Sequence, residues 1–289
     1  MDNEPLKIKI IGIGDGGARA ISKMIAAGVG AGKFVEYLAI GNDENILLNS
    51  EAPKNIFLNR DMTTIYSELN DALDGAKLIF IVAGLASNAA RVSVPLITTC
   101  ARNLDAVTVA FVCRPSILEN FPRKVNAEHT LNNLRANVNT IFAVSPEKFL
   151  VFRVNQPQIS LEELFDVGDD IFCQGVQIFL DMLIDGDKNL ALFKWGEAKF
   201  AYGEGKSAQK ATQSAANFPT LDDDDLNHAA AVFLRLASGT PLPLKAIDAA
   251  NSFIRKQLPP NAELFTQEDV VLSLEERVFA AIVLARQKT

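Results

Sequence analysis

The sequence contains few of the residues from which hydrolases and metal centres are usually built. Its three cysteines, Cys100, Cys113 and Cys173, lie far apart, which excludes CxxC chemistry and argues against a disulfide framework. The only two histidines, His129 and His228, have no cluster of other candidate ligands near them in the sequence, so we predict no metal site. A Ser–His–Asp or Cys–His hydrolase is therefore not expected.

Long apolar runs and an excess of positive charge are also missing. The net charge of −7 argues against a general nucleic-acid-binding surface. Apolar stretches such as LIFIVAGLA at 78–86 are too short to cross a bilayer, and residues 1–6 do not lead into the apolar run of a signal peptide. We therefore expect a cytoplasmic protein that binds no nucleic acid and does not insert into a membrane.

A regular alternation of apolar strands and helices fills the first half of the chain. Strands are predicted at 8–14, 34–41, 77–84, 106–113 and 139–144, and helices at 21–27, 61–74, 88–103 and 121–137. Continuous apolar strands separated by helices indicate a parallel sheet that is covered on both faces. The predicted fold class is therefore α/β.

A change of pattern near residue 160 predicts a long helix followed by a second domain. Ser160 and Glu163 form a capping-box pattern at the start of this helix, which we place at 160–184. Beyond it we predict helices at 206–218 and 244–256 and strands near 229–237, 261–267 and 275–284, and we expect the acidic run at 222–225 to be a solvated loop. The predicted domains are 1–184, which includes the central helix, and a smaller α+β domain at 185–289.

A glycine-rich turn joins the first strand to the first helix. Gly12, Gly14 and Gly17 have the GxGxxG spacing of loops that hold phosphate against a helix N-terminus. A Rossmann dinucleotide site has the same spacing, with an acidic residue such as Asp43 at the end of the second strand to bind ribose. The surroundings of Asp43 do not resemble a dinucleotide site.

A collinear series of segments, running along nearly the whole chain, resembles FtsZ, the bacterial tubulin homologue. The segments are IGIGDGGARAI (11–21), LAIGNDENIL (38–47), KLIFIVAGLASNAARVSVPLI (77–97), VAFVCRPSILENFPRK (109–124), LFDVGDDIFCQGVQ (164–177), AYGEG (201–205) and LNHAAAVFLRLASG (226–239). The resemblance implies a tubulin/FtsZ-type nucleotide-binding domain with a parallel sheet, a long central helix and a smaller α+β C-terminal domain. It also implies a bacterial cytoskeletal protein of cell division that binds GTP or GDP.

The resemblance assigns nucleotide-binding positions to several segments of this chain. They are Gly14, Asp15, Gly16, Gly17, Arg19, Gly84 and Arg91 in and beside the two phosphate loops, Glu119 and Arg123 at the ribose, and Phe165, Asp169 and Asp170 at guanine. A carboxylate suits guanine because it accepts from N1–H and N2–H₂ together. A structural alternative stays open: acids near a helix N-terminus are also favoured by the helix dipole, and Glu119 and Arg123 can be surface charges.

The sequences of the two predicted phosphate loops differ from those of the family. Where the family's signature reads GGGTGTG, this chain reads ASNAARV at 86–92, and side chains obstruct the close approach of backbone N–H groups to phosphate. Asp15 adds a repulsion of about 3 kcal/mol for one phosphate charge at about 5 Å and an effective dielectric of about 20, which is about a hundredfold in affinity. We predict that GTP and GDP bind weakly or not at all. Arg91 has two alternatives, which are to offset the Asp15 charge or to pair with Asp15 and fill the cavity, and we favour the second.

The loop that completes the neighbouring subunit's site in this family has the pattern N-x-D-F-x-D. Matching Asn189 to its asparagine puts Ala191 and Lys194 where the two aspartates belong, and a gapped pairing, which stays open, leaves Asp185 and Asp187 as substitutes. The resemblance implies a GTPase, and these substitutions predict that its activity is weak or lost because the attacking water is poorly oriented.

Two classes of function stay open from the sequence. The first is a cytoskeletal protein that assembles head to tail with itself into filaments and depends little on GTP. The second is a non-polymerising FtsZ-like regulator that binds a true FtsZ or another partner, and an active GTPase is the third reading. The sequence ends at Thr289 without the linker and docking peptide usual in FtsZ, so ordinary recruitment to a division ring is not expected.

Overall fold

The protein is described by a computed structural model over residues 5–117, 119–148, 161–183 and 194–286. The chain divides into two compact units, one up to Gly196 and the other from Glu197 onward. The predicted domain boundary at 184/185 falls among residues that lie outside the described ranges, so it stays a prediction.

The first unit is built on six parallel strands. They are β1 (Ile8–Ile13), β2 (Val35–Gly41), β3 (Lys54–Phe57), β4 (Leu78–Gly84), β5 (Val107–Cys113) and β6 (Thr140–Val144), in the spatial order β3-β2-β1-β4-β5-β6. The central strands β1, β4 and β5 are buried at almost every position, as in a sheet that carries helices on both faces. The predicted α/β fold is confirmed.

Helices cover both faces of this sheet. They are α1 (Gly14–Ala26), α2 (Glu44–Leu48), α3 (Met62–Leu73), α4 (Asn88–Asn103), α5 (Phe121–Asn137) and α6 (Leu161–Asp181). A core on one face joins strand residues such as Ile81 to Leu69 of α3 and Val94 of α4. On the other face, α6 brings Phe179 to a ring-centroid distance of 5.8 Å from Phe111 of β5.

Side-chain caps mark where several helices begin. Asp61, Ser87 and Asn120 each accept a hydrogen bond from a backbone N–H in the first turn of α3, α4 and α5. The bounds of α4 and α5 match those predicted from the sequence. The predicted start of the first helix at residue 21 is wrong, because α1 begins at Gly14 and takes the glycine-rich turn as its own first turn.

The second unit is a mixed sheet with two helices. It contains β7 (Gly196–Gly205), α7 (Ala208–Ala216), β8 (Ala229–Ser238), α8 (Leu244–Arg255), β9 (Glu263–Val270) and β10 (Val278–Arg286), with strand order β7-β10-β8-β9. Strand β10 runs antiparallel to β7 and β8, while β9 runs parallel to β8. Strand β7 was not predicted from the sequence, because its polar and glycine residues interrupt the apolar run that is typical of the other strands.

One acid of the run at 222–225 is not solvated as predicted. The side chain of Asp225 is fully buried, and its carboxylate accepts from Lys199 Nζ at 2.6 Å and from the backbone N–H of Asp222 at 2.7 Å. The charge of Asp225 is tolerated in the interior because it is both paired and hydrogen-bonded. Within the described ranges, no helix is long and apolar enough to cross a lipid bilayer.

Candidate functional site

The carboxyl ends of the parallel strands gather the predicted nucleotide-binding residues at one edge of the first unit's sheet. Strand β1 leads directly into α1, β4 leads through a short loop into α4, and the loop after β5 leads into α5. Ligands of open α/β sheets bind at this edge because the loops and helix N-termini converge there. The edge is therefore the candidate functional site.

Two of the glycines in the first loop are required for packing rather than for a ligand. A Cβ on Gly17 would lie 2.6 Å from the carbonyl oxygen of Val82 and 2.7 Å from the carbonyl carbon of Gly12. A Cβ on Gly12 would lie 2.3 Å from the Gly17 carbonyl oxygen. Gly12 and Gly17 therefore allow the backbone of α1 to touch the backbones of β1 and β4.

Asp15 and Gly16 form the open part of the first loop. Gly14 has a φ of 67°, a left-handed conformation that favours glycine, and Asp15 beside it is exposed. A Cβ on Gly16 would meet only the Arg19 guanidinium, at 4.0 Å. An anion approaching the N-terminus of α1 would therefore meet the Asp15 carboxylate on an open surface.

The second loop has become the capped start of an ordinary helix. Ser87 is the N-cap of α4, and its Oγ accepts from the backbone N–H of Ala90 at 3.0 Å. A Cβ at Gly14 would lie 3.4 Å from Ser87 Oγ and 3.6 Å from Ala89 Cβ, so these two side chains of the second loop face Gly14 in the first. The cap satisfies one of the N–H donors that a phosphate would use.

The predicted pair between Arg91 and Asp15 is wrong. Both side chains are exposed, and no ion pair joins them among the described residues. An exposed pair gains little over solvation of the two separate charges, so there is no strong force to bring them together.

A different basic residue, Arg19, contacts the predicted base-binding residues. Its Nε donates to Asp169 Oδ2, and its Nη2 donates to Asp169 Oδ1 at 3.4 Å. The guanidinium carbon of Arg19 also lies 5.2 Å from the ring centroid of Phe165, which is a cation–π distance. The Asp169 side chain is only 6% exposed and that of Arg19 is 43% exposed. Arg19 of α1 thus joins Asp169 and Phe165 of α6.

A second basic residue of α1 continues this contact. Lys23 Nζ lies 2.7 Å from Asp170 Oδ1 and 3.8 Å from Asp166 Oδ1, and it donates to the Asp166 carbonyl oxygen at 3.1 Å. Arg19 and Lys23 are four residues apart and therefore share one face of α1. Lys23 and Asp166 were not predicted from the sequence. The i, i+4 spacing of Arg19 and Lys23 on α1 and of Asp166 and Asp170 on α6 would have indicated them.

Burial and charge act in opposite directions on the ionisable groups of this contact. Burial raises the pKa of the Asp169 carboxyl, although the hydrogen bond and the charge of Arg19 lower it in part. Burial disfavours the charged form of Lys23, but the hydrogen bond to Asp170 and the nearby acids raise the pKa of Lys23 overall. Arg19 therefore offsets part of the cost of burying the Asp169 carboxylate.

The predicted ribose residues pair with each other. Glu119 Oε2, just before α5, lies 2.6 Å from Arg123 Nε in its first turn. Their side chains are 30% and 51% exposed, so this pair is open to solvent. Asn120 between them caps α5 by accepting from the backbone N–H of Arg123 at 3.1 Å.

Two thiols, those of Cys113 and Cys173, lie within electrostatic range of Asp169. Burial raises the pKa of both Cys113 and Cys173 to about 12, with smaller contributions from nearby acids that include Asp169. Neither thiol is therefore a ready nucleophile near neutral pH. In the part of the chain that the structure describes, no group of three or more His, Cys, Asp or Glu side chains could hold a metal ion.

Most of the predicted catalytic-loop residues lie outside the part of the chain that the structure describes. Asp185, Asp187, Asn189 and Ala191 lie outside the described residues, so the choice between the two pairings stays open. Lys194 is described and is exposed just before β7.

Comparison with known proteins gives sequence and structural relatives. No protein-family model matches the chain. The chain is 25% identical, over 305 aligned residues, to the cell division protein FtsZ of Caulobacter vibrioides, and the match covers 96% of this chain. The chain spans 59% of the length of that curated relative.

Solved structures share the fold closely. An empty FtsZ dimer from M. jannaschii matches with a TM-score of 0.83 at 23% identity, over 98% of this chain and 89% of that chain. CetZ2 from Haloferax volcanii, in a GTPγS-bound protofilament, matches with a TM-score of 0.80 at 17% identity, over 98% and 94%. The fold is that of the tubulin/FtsZ superfamily. The sequence match to FtsZ and the shared fold confirm the FtsZ-like resemblance predicted from the sequence.

Proposed function

We propose that this protein is an FtsZ-like cytoskeletal protein that assembles head to tail in the cytoplasm and depends little on guanine nucleotide. One observation carries the proposal: the Ser87 and Ala89 side chains of the second predicted phosphate loop face Gly14 of the first loop. Ser87 Oγ caps α4 beside Gly14, and the exposed Asp15 adds a negative charge at the start of α1. An arrangement of this kind supports a site in which phosphate is poorly held.

Self-association follows from the asymmetry of the fold. Different surfaces at the two ends of a subunit make a heterologous contact, and a repeated heterologous contact gives an open filament rather than a closed dimer. The relatives described as a dimer and a protofilament support such a contact for this chain. The exposed Lys194 would then face Asp15 of the next subunit, where an acidic residue would have been repelled.

Assembly is expected to depend on protein concentration and salt, and little on GTP. Exposed charge pairs such as the one proposed for Lys194 and Asp15 are screened by salt, so filaments should become fewer as ionic strength rises. Sedimentation at several protein concentrations, with and without GTP, and electron micrographs of the same samples test this. A strict monomer in all these conditions would favour the non-polymerising regulator, and assembly only with GTP would favour the active GTPase.

Guanine nucleotides are expected to bind with dissociation constants of about 100 μM or weaker, which is about −5.5 kcal/mol or less favourable. The reasons are the Asp15 charge and the replacement of an open glycine loop by a capped helix. Calorimetric titration with GTP and with GDP measures both constants. A sub-micromolar constant for either nucleotide would contradict the expectation.

GTP turnover is expected to be negligible even at saturating nucleotide and protein. Ala191 and Lys194 occupy the positions where the resemblance places catalytic acids, and neither can orient a water molecule as a carboxylate does. Phosphate release over several hours is the measurement. Ready turnover that is abolished by Asp185→Asn or Asp187→Asn would show that the gapped pairing is the right one.

A further inference from the structure

We propose that Arg19 is a built-in occupant of the base side of this site: its guanidinium takes the place of a guanine on Asp169 and Phe165. The inference rests on the proposed nucleotide site, and it names the group that competes with nucleotide there. The Arg19 contact joins α1 to α6, as a ligand bound between the two helices would.

The chemistry of the two groups explains the substitution. Guanine presents two adjacent N–H donors, N1–H and N2–H₂, to a carboxylate, and a guanidinium presents a similar planar pair. Both groups are also flat and interact with an aromatic face. Arg19 makes both kinds of contact, since its Nε and Nη2 donate to the two oxygens of Asp169 and its guanidinium lies against Phe165.

The two residues of this ion pair differ in how deeply they are buried. Asp169 is almost fully buried, whereas Arg19 remains near half exposed. Removing Arg19 leaves a buried carboxylate without its partner, which is costly, whereas neutralising Asp169 leaves an arginine that solvent can still reach. Asp169 therefore requires a planar cationic or neutral donor, and the chain supplies one from α1.

The neighbouring ion pairs of Lys23 also hold α1 against α6. Lys23 lies 2.7 Å from Asp170 and 3.8 Å from Asp166 on the same part of α6, so both acids face a cation of α1. Opening the base side for a nucleotide would require the Arg19 contact to break while the Lys23 contact holds the two helices together. Arg19 is thus the residue whose removal should expose Asp169 without separating α1 from α6.

The test compares Arg19→Ala with a matched arginine elsewhere in the first unit. Arg60 also pairs with a carboxylate, Glu68, and lies 5.8 Å from the ring centroid of Phe57, but it belongs to no predicted site. We expect Arg19→Ala to lower the midpoint of thermal unfolding without nucleotide by about 3–6 °C. The same variant should bind GTP about tenfold more tightly than the unaltered protein, while Arg60→Ala should leave GTP affinity unchanged.

Three further measurements sharpen the result. ATP affinity should not rise in Arg19→Ala, because adenine presents one donor beside an acceptor rather than two donors. Asp169→Asn should lower the unfolding midpoint less than Arg19→Ala and should give no gain for GTP. Arg19→Lys keeps the charge but loses the planar donor pair, so its GTP affinity should lie between those of the unaltered protein and Arg19→Ala.

The pH dependence separates this contact from an ordinary surface pair. The charged groups that face Asp169 are Arg19, Lys23 and Asp166, and the thiols of Cys113 and Cys173 lie in its field. Burial already raises the pKa of Asp169, and loss of Arg19 raises it further. A carboxyl whose pKa is raised in the folded protein costs the most stability at pH values above that pKa. The decrease in unfolding midpoint caused by Arg19→Ala should therefore become smaller as the pH falls from neutrality towards the ordinary carboxyl pKa.

The outcomes are distinguishable from those of the proposed function. An Arg19→Ala protein that loses stability without gaining GTP affinity overturns the inference, since the pair would then only join two helices. Equal gains for GTP and ATP, or a gain in Arg60→Ala, also overturn it. Failure to form filaments contradicts the proposed function but leaves the difference between the Arg19 and Arg60 variants to decide the inference. If Arg19→Ala does not fold, Arg19→Lys carries the same comparison.

Discussion

A Gly17→Ala variant is expected to lose at least about 3 kcal/mol of folding stability, at the upper end for overpacking of a well-packed site. The added Cβ would lie 2.6 Å from the Val82 carbonyl oxygen and 2.7 Å from the carbonyl carbon of Gly12. Both neighbours are backbone atoms of buried strands, so no side-chain rotation relieves the contact, and α1 must move away from the sheet. Urea unfolding followed by circular dichroism measures the loss.

The neighbouring glycine provides a matched control. The same substitution at Gly16 places a Cβ that meets only the Arg19 guanidinium at 4.0 Å, and Gly16 does not have a positive φ. Gly16→Ala should therefore be neutral or stabilise α1 by up to about 1 kcal/mol, since alanine loses less backbone entropy on folding. Equal losses for the two variants would contradict the packing argument. A Gly17→Ala protein as stable as the unaltered one would also contradict it.

Asp15→Gly is expected to strengthen GTP binding by up to about a hundredfold at low salt. Asp15 is exposed at the start of α1, where a phosphate would otherwise be favoured by free N–H groups and the helix dipole. Because the carboxylate is exposed, salt screens its repulsion, and the gain should shrink as ionic strength rises. Titration calorimetry with GTP at two salt concentrations measures both effects.

Two related variants separate charge from size. Asp15→Asn removes the charge and keeps the side chain, so it should recover most of the gain if repulsion dominates. Asp71→Asn changes the net charge of the protein equally on the exposed side of α3, and it should leave GTP affinity unchanged. Arg91→Gly should not raise the affinity, because Arg91 does not pair with Asp15. A gain with Asp71→Asn, or none with either Asp15 variant, would contradict the role given to Asp15.

Much of the first unit could be predicted from the sequence because its signals are local. Apolar runs located β1, β4 and β5, and caps such as Ser87 and Asn120 stand at the starts of α4 and α5. The short elements β3 and α2 carry too few residues to show a period, and β7 mixes polar and glycine residues with its apolar ones. These elements are held in place by pairing and packing with distant parts of the chain rather than by local preference.

The candidate site was predicted as a set of residues, but its contacts were not. Resemblance placed Arg19, Phe165 and Asp169 in one site, and the proximity of these residues follows from the topology of the sheet. Arg91 was predicted to fill the site. That prediction is wrong because charge alone does not distinguish an exposed arginine from one that pairs with a buried carboxylate.

The sequence by itself determined the class of fold, the order of most helices and strands, and the loss of glycine from the second loop. Each of these properties is encoded within a few neighbouring residues, so a local pattern is enough to reveal it. Only the tertiary structure decided which charges meet: Arg19 and Asp169 are separated by 150 residues, and Lys199 reaches the buried Asp225. Those pairings follow from which acids become buried, because a buried carboxylate must find a partner whereas an exposed one does not.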